Sequence, residues 1–130
     1  MISFILFSLF GVCIGVITGL LPSFHINNLI PLLLGLSFLF PTNYELAVFI
    51  VSVAITQVFV SYIPSIFLGA PSEDTALSVL PGHRLLLQGR GYEAITIVVF
   101  SSLVSLIMSL VLIFVLSGSF QWLYEVTRPY

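Results

Sequence analysis

Charged side chains are scarce in this sequence. It contains no lysine, and its 130 residues include three arginines and five aspartates or glutamates, so only 6% are charged. A soluble domain carries roughly 25% charged residues, because its surface faces water. The few charges here cannot cover such a surface. The composition therefore excludes a soluble fold and indicates that lipid is the main solvent.

Several chemistries lack the residues they need. Cys13 is the only cysteine, so neither an intrachain disulfide nor a thiolate metal site can form. Three arginines make no phosphate-neutralising patch, which argues against nucleic acid as a partner. The sequence has no His-Glu-x-x-His spacing and no serine with an evident base. We therefore expect no enzyme, no metal site and no cofactor.

The charges that exist leave long uncharged runs between them. None occurs in residues 1–44, 46–72 or 94–124, and each run exceeds the roughly 20 residues needed to cross a hydrocarbon core. In lipid the backbone must pair internally, which favours helices, and the alternating pattern of a barrel strand is absent. The sequence predicts an all-α, polytopic integral protein that crosses the cell membrane several times, with the lipid bilayer as its surroundings.

Prolines and glycines divide the runs into segments. From 29 to 40 only twelve residues remain before Pro41, too few to span at about 1.5 Å each. A discontinuous or re-entrant helix is therefore predicted there. Within a single membrane domain, 1–130, the predicted segments are a helix at 2–21, a break at 22–28, a short helix at 29–40, a span at 45–68, a break and loop at 69–93, and a span at 94–116.

Gly11, Gly15 and Gly19 recur every four residues and so share one face of the first helix. In lipid such a face lets another helix approach closely. The spacing indicates helix packing, or alternatively a sliding surface beside a binding site.

The same device occurs twice, as Leu21-Pro22-Ser23 and as Ala70-Pro71-Ser72. Proline interrupts a helix, and the serine that follows can cap the next one. A helix N-terminus presents unpaired N–H groups and about half a positive charge. Two such ends meeting at mid-membrane would bind an anion without any lysine or arginine. The alternative is that both prolines only kink their helices.

Each polar residue near the two breaks has two possible roles. His25 is a proton carrier or substrate donor, or it bonds a neighbouring helix. Asn27 and Asn28 bind a ligand or cation through their carbonyls, or they cross-link helices. Glu73 and Asp74 are functional if they lie at membrane depth, and ordinary first-turn acids if they lie at the interface.

Two stretches resemble the signatures of the TctA family, the large membrane subunit of tripartite tricarboxylate transporters. One is Gly15-Val16-Ile17-Thr18-Gly19-Leu20-Leu21-Pro22, continuing to Pro31-Leu32-Leu33-Leu34. The other runs from Gly69-Ala70-Pro71-Ser72 through Gly82-His83-Arg84 to Glu93-Ala94. The first break reads Leu-Pro-Ser-Phe-His where the family usually has Leu-Pro-Gly-Leu-Gly. The chain is therefore similar to the N-terminal half of a divergent, archaeal-like branch.

The resemblance implies one half of a two-repeat transporter fold, completed by the remaining half of the permease or by a second copy. It implies ion-coupled uptake of carboxylates or similar small organic anions, with Na⁺ or H⁺ as the coupling ion. The alternative is a structural membrane subunit that does not transport and assembles with a partner through the glycine face. The substrate-binding candidates are Gly19, Pro22, Ser23, His25, Asn27, Asn28, Pro71, Ser72 and Thr75, and the ion-coupling candidates are Asn27, Asn28, Glu73 and Asp74.

Overall fold

The computed structural model describes residues 2–22, 26–35, 37–71 and 75–128. The helices are α1 (Ile2–Leu20), α2 (Ile26–Gly35), a short 3-10 turn (Ser37–Leu39), α3 (Asn43–Leu68), α4 (Ala76–Leu87) and α5 (Gly91–Thr127). These described residues contain no β-strand. Within them α1, α3 and α5 are long and apolar enough to cross a membrane. The prediction of an all-α membrane fold is confirmed.

Helices α1 and α3 run parallel and in close contact. A Cβ on Gly11, Gly15 or Gly19 would lie 2.7–2.9 Å from a backbone carbonyl oxygen of α3. Each successive glycine meets α3 about four residues further along, since the nearest side chains are those of Ser52, Thr56 and Val60 in turn. The glycine face is therefore a helix-packing surface within the chain.

The connector between these parallel helices must return the full length of α1, because both helices start at the same end. Leu33 of α2 packs in the buried cluster with Phe49 and Val53 of α3. Further along, the Phe40 ring lies 5.1 Å from that of Phe7 and 5.3 Å from that of Phe49. The connector thus lies against both helices on its way back.

Both ends of α3 are defined by capping residues. The Thr42 hydroxyl accepts a hydrogen bond from the Glu45 N–H at 3.4 Å and donates one to the Glu45 carboxylate at 3.0 Å. Together these two residues form a variant of the capping box, and Glu45 is 6% exposed. At the other end, Gly69 has φ 63°, the left-handed conformation in which helices commonly end.

Helix α4 crosses the end of α3 at a steep angle. Thr75 contacts Ser65, whereas Gly82 and His83, seven and eight residues later, both contact Ile66. In parallel or antiparallel packing, the contacts would move along both helices by the same number of residues. Here they move seven or eight residues along α4 but only one along α3, so the two helices cross. α5 then begins near Phe67, since a Cβ on Gly91 would lie 3.3 Å from that ring.

The chain divides into two units, one ending at Val98 and the other beginning at Val99. The first unit contains α1 to α4, the buried cluster and the first residues of α5. The second continues α5, whose described side chains are mostly exposed. Near its end the Arg128 guanidinium lies 6.0 Å from the centre of the Tyr124 ring.

Four predicted segments differ from the structure, three of them at their ends. The predicted break at 22–28 is too long, because α2 begins at Ile26 and includes Asn27 and Asn28. The predicted helix at 29–40 is also wrong at its end, since α2 stops at Gly35 and a 3-10 turn follows. The span predicted to end at 116 continues to Thr127, because Gly118 weakens a helix by only about 1 kcal/mol.

The loop predicted over 69–93 contains α4, in which Pro81 is internal. Pro81 removes one backbone hydrogen bond. The helix persists because Gly82 packs on Ile66 and the His83 ring hydrogen-bonds to α3. An interrupted helix would also leave backbone groups unpaired in lipid.

Candidate functional site

The first break follows the end of α1. Gly19 is buried, and a Cβ there would lie 2.9 Å from the Gln57 carbonyl oxygen and 2.8 Å from the Val60 side chain. This contact leaves no space for a substrate group at Gly19. Pro22 follows in an exposed turn. Gly19 lies beside Val60 of α3. Pro22 is three residues further along the chain, which corresponds to a level near Ile63 and Pro64 if the same register continues.

The second break is attached to α3 by hydroxyl groups. Thr75 is 0% exposed and Ser65 is 1% exposed, and their side-chain oxygens lie 2.7 Å apart. The Ser65 hydroxyl also lies 2.7 Å from the Ser61 carbonyl oxygen, to which it donates. Pro71 is exposed. Thr75 therefore holds the start of α4 on α3.

Thr75 contacts α3 at Ser65, and the last glycine of α1, Gly19, contacts α3 at Gln57 and Val60, in the same half of that helix. Ser65 lies more than nine residues beyond the middle of this 26-residue helix, a distance of about 14 Å at 1.5 Å per residue. Half of a hydrocarbon core is about 15 Å. If α3 is centred in the bilayer, Ser65 and its partner Thr75 lie near the edge of the hydrocarbon core.

Each break is followed by a short helix of similar design. Pro31 is the sixth residue of α2, and Pro81 is the sixth residue of α4. In the first turn of α2, Asn27 and Asn28 are both exposed. The first N–H groups of α2, which have no partner within the helix, and its positive end therefore lie beside two exposed amides, a combination that can hydrogen-bond a carboxylate.

The predicted site residues fall into three groups. Gly19 and Thr75 are buried in contacts with α3. Pro22, Asn27, Asn28 and Pro71 are exposed. Outside the described residues lie Ser23, His25, Ser72, Glu73 and Asp74.

The sequence reasoning missed two residues that shape the second break. His83 Nδ1 lies 2.9 Å from the Ile66 carbonyl oxygen, and because a carbonyl only accepts, Nδ1 carries the proton. That carbonyl is among the last four of α3, which have no partner within the helix. Gly82 lies flat against Ile66. Both residues lie within the segment 69–93, which the sequence predicts as a break and loop.

Arg90 and Glu93 form an ion pair at the junction of α4 and α5. Arg90 donates to the Glu93 carboxylate from Nε at 2.7 Å and from Nη2 at 2.6 Å. The Glu93 hydrogen bonds and charge raise the pKa of Arg90 above its ordinary value. Both side chains are about half exposed, so the pair contributes little to stability.

The sequence matches the Tripartite tricarboxylate transporter TctA family over residues 5–130. The chain therefore belongs to this family, and the resemblance drawn from its two signatures is confirmed. An uncharacterized protein of Methanocaldococcus jannaschii is 40% identical to it over 111 residues, covering 83% of this chain and 27% of that protein. That likeness is consistent with a divergent, archaeal-like branch. No solved structure matches the chain.

Proposed function

We propose that the chain is a membrane permease component of a secondary transporter for carboxylates or similar organic anions. The family match carries this proposal, because it runs through both breaks and through α1, α3 and α5. The chain spans just over a quarter of its archaeal relative. We further propose that the remaining half of the permease or a second copy of the chain completes the transporter in the cell membrane.

The substrate-binding region is formed by the starts of α2 and α4, with Asn27 and Asn28 as its exposed polar residues. It opens toward the membrane face at which α3 ends. Gly19 is not part of it, because α3 fills the space at its α carbon. Thr75 contributes by positioning α4.

Charge balance supports coupling to a cation. The sequence has no lysine and no arginine before Arg84, and two helix N-termini supply only about one positive charge together. A dicarboxylate or tricarboxylate therefore needs cations bound with it. Na⁺ or H⁺ fits this role, with carbonyl oxygens of Asn27 and Asn28 and the carboxylates of Glu73 and Asp74 as the candidate ligands.

Direct binding tests this proposal. The chain in lipid nanodiscs is incubated with labelled citrate or succinate, in sodium or in potassium buffer. We expect saturable binding that is stronger in sodium or at lower pH, and at least tenfold weaker when Asn27→Ala and Asn28→Ala are combined. Gly118→Ala is the control, because no atom lies within 4 Å of a Cβ there. Binding of neither anion, or equal binding by the double variant, would contradict the proposal.

The structural-subunit alternative gains no support from the glycine face. Gly11, Gly15 and Gly19 pack on α3 of the same chain. That face is consequently not open to a partner.

A further inference from the structure

We propose that α4 is an interfacial helix whose outer face binds an anionic phospholipid surface, with Arg84 at the headgroup phosphate. The outer face consists of Leu77, Leu80, Arg84 and Leu87. Their spacing of three, four and three residues places them on one side of the helix. The proposal concerns how the chain sits in lipid and does not depend on transport.

The outer face is the side of α4 that points away from α3. Leu77 is 95% exposed, Leu80 is 83% exposed and Leu87 is 77% exposed. Gly82, which packs on Ile66, and Thr75, which contacts Ser65, occupy the opposite side. In water three large apolar side chains so exposed would promote aggregation, which favours an apolar environment around them.

The position of α4 matches the border of the bilayer. Thr75, Gly82 and His83 contact α3 at Ser65 and Ile66, about 14 to 16 Å from the middle of that helix. This is close to the edge of a hydrocarbon core about 30 Å thick. Because α4 crosses α3 steeply, its axis runs along the membrane plane. Tyr92, which is 86% exposed just after α4, has the amphipathic ring typical of this zone.

The charge of Arg84 favours lipid, and not a second copy of the chain, as the partner of the outer face. No ion-pair partner of Arg84 is found among the described residues. In a symmetric dimer through this face, the two Arg84 side chains would be brought together without a carboxylate on the face. Beside lipid, the aliphatic stem of an arginine can lie along the leucines while its guanidinium reaches a phosphate.

Depth-dependent fluorescence quenching tests the position of the outer face. The full chain carries Trp122→Phe, which removes its only tryptophan, together with Leu80→Trp as the reporter. It is reconstituted with lipids that bear a spin label high or low on the acyl chain. We expect stronger quenching by the shallow label. Ile55→Trp, at the middle of α3 and 41% exposed in the native chain, is the matched reporter and should show the reverse order.

The role of Arg84 is tested in the same system. Spin-labelled phosphatidylglycerol should quench Leu80→Trp better than spin-labelled phosphatidylcholine. Arg84→Gln should reduce this preference about fivefold, the effect of losing one basic residue at an anionic surface. Arg90→Gln should leave it nearly unchanged, because Arg90 is engaged by Glu93.

Three outcomes would overturn the proposal. Unquenched, red-shifted emission from Leu80→Trp would show that water covers the face. Unquenched, blue-shifted emission would show that protein covers it. If Leu80→Trp is quenched but Arg84→Gln leaves the preference for phosphatidylglycerol unchanged, Arg84 does not bind the lipid headgroup.

Discussion

The side-chain oxygens of Ser65 and Thr75 lie 2.7 Å apart, and both residues are almost completely buried. One of them belongs to the last turns of a long apolar helix, and the other immediately precedes a short helix that crosses it. This hydrogen bond fixes where the second break ends. It also joins the start of α4 to the last turns of α3.

Losing this contact should release the start of α4. We predict that Thr75→Val lowers the stability of the chain in detergent by about 0.6–2 kcal/mol, because the buried Ser65 oxygen loses the hydrogen bond that it accepts from Thr75 while still donating to Ser61. Thr75→Ser keeps the hydroxyl and should lose less. Thermal unfolding followed by circular dichroism measures both. A Thr75→Val variant as stable as the native chain would show that the hydrogen bond is dispensable.

Close packing between α1 and α3 makes Gly15 intolerant of side chains. A Cβ there would lie 2.8 Å from the Val53 carbonyl oxygen and 2.7 Å from the Thr56 Cβ. We expect Gly15→Ala to destabilise the chain by about 1–3 kcal/mol, the usual effect of overpacking. Gly118→Ala, which meets open space, should be neutral or slightly stabilising. Equal unfolding temperatures for the two variants would contradict the packing described here.

The parallel arrangement of α1 and α3 can be tested by cross-linking. The hydroxyl oxygens of Ser8 and Ser52 lie 3.1 Å apart. In a Cys13→Ser background, we predict that Ser8→Cys combined with Ser52→Cys forms a disulfide readily under mild oxidation. Ser8→Cys with Ser61→Cys is the control, since Ser61 lies nine residues further along α3, about 14 Å away.

An antiparallel pair would bring Ser8 close to the far half of α3 instead. Efficient cross-linking to position 61, with none to position 52, would therefore show that the connector does not return along α1. Gel mobility with and without reductant reads out both pairs.

The sequence predicted the long helices because their signals are local. Uncharged runs long enough for lipid led to α1, α3 and α5, and Pro22 and Pro71 led to the two breaks. Four-residue spacing of the glycines indicated a packing face, although nothing local showed that α3 would fill it. The parallel direction of α1 and α3 depends on where the connector packs, which is decided by contacts such as Phe7 with Phe40 that are distant in sequence.

The failures have a common physical cause. Pro81 and Gly82 are turn formers in water, but here packing against Ile66 and the cost of unpaired backbone in lipid keep them helical. The break predicted at 22–28 included Asn27 and Asn28, which occupy the first turn of α2. The level of Thr75 along α3 could not be predicted from its neighbours in sequence, because it is set by the contact with Ser65, ten residues earlier.

Ligand protection of an introduced cysteine tests the central claim most directly. Asn27→Cys in a Cys13→Ser background is treated with a small polar thiol reagent, with and without citrate or succinate in sodium buffer. We predict that the thiol reacts and that at least one of the anions slows the reaction severalfold. Gln88→Cys, exposed at the end of α4, should react at the same rate with and without them. If Asn27→Cys is inert, or reacts equally under all conditions, the first break is not a water-accessible carboxylate site and the transporter account fails at its binding region.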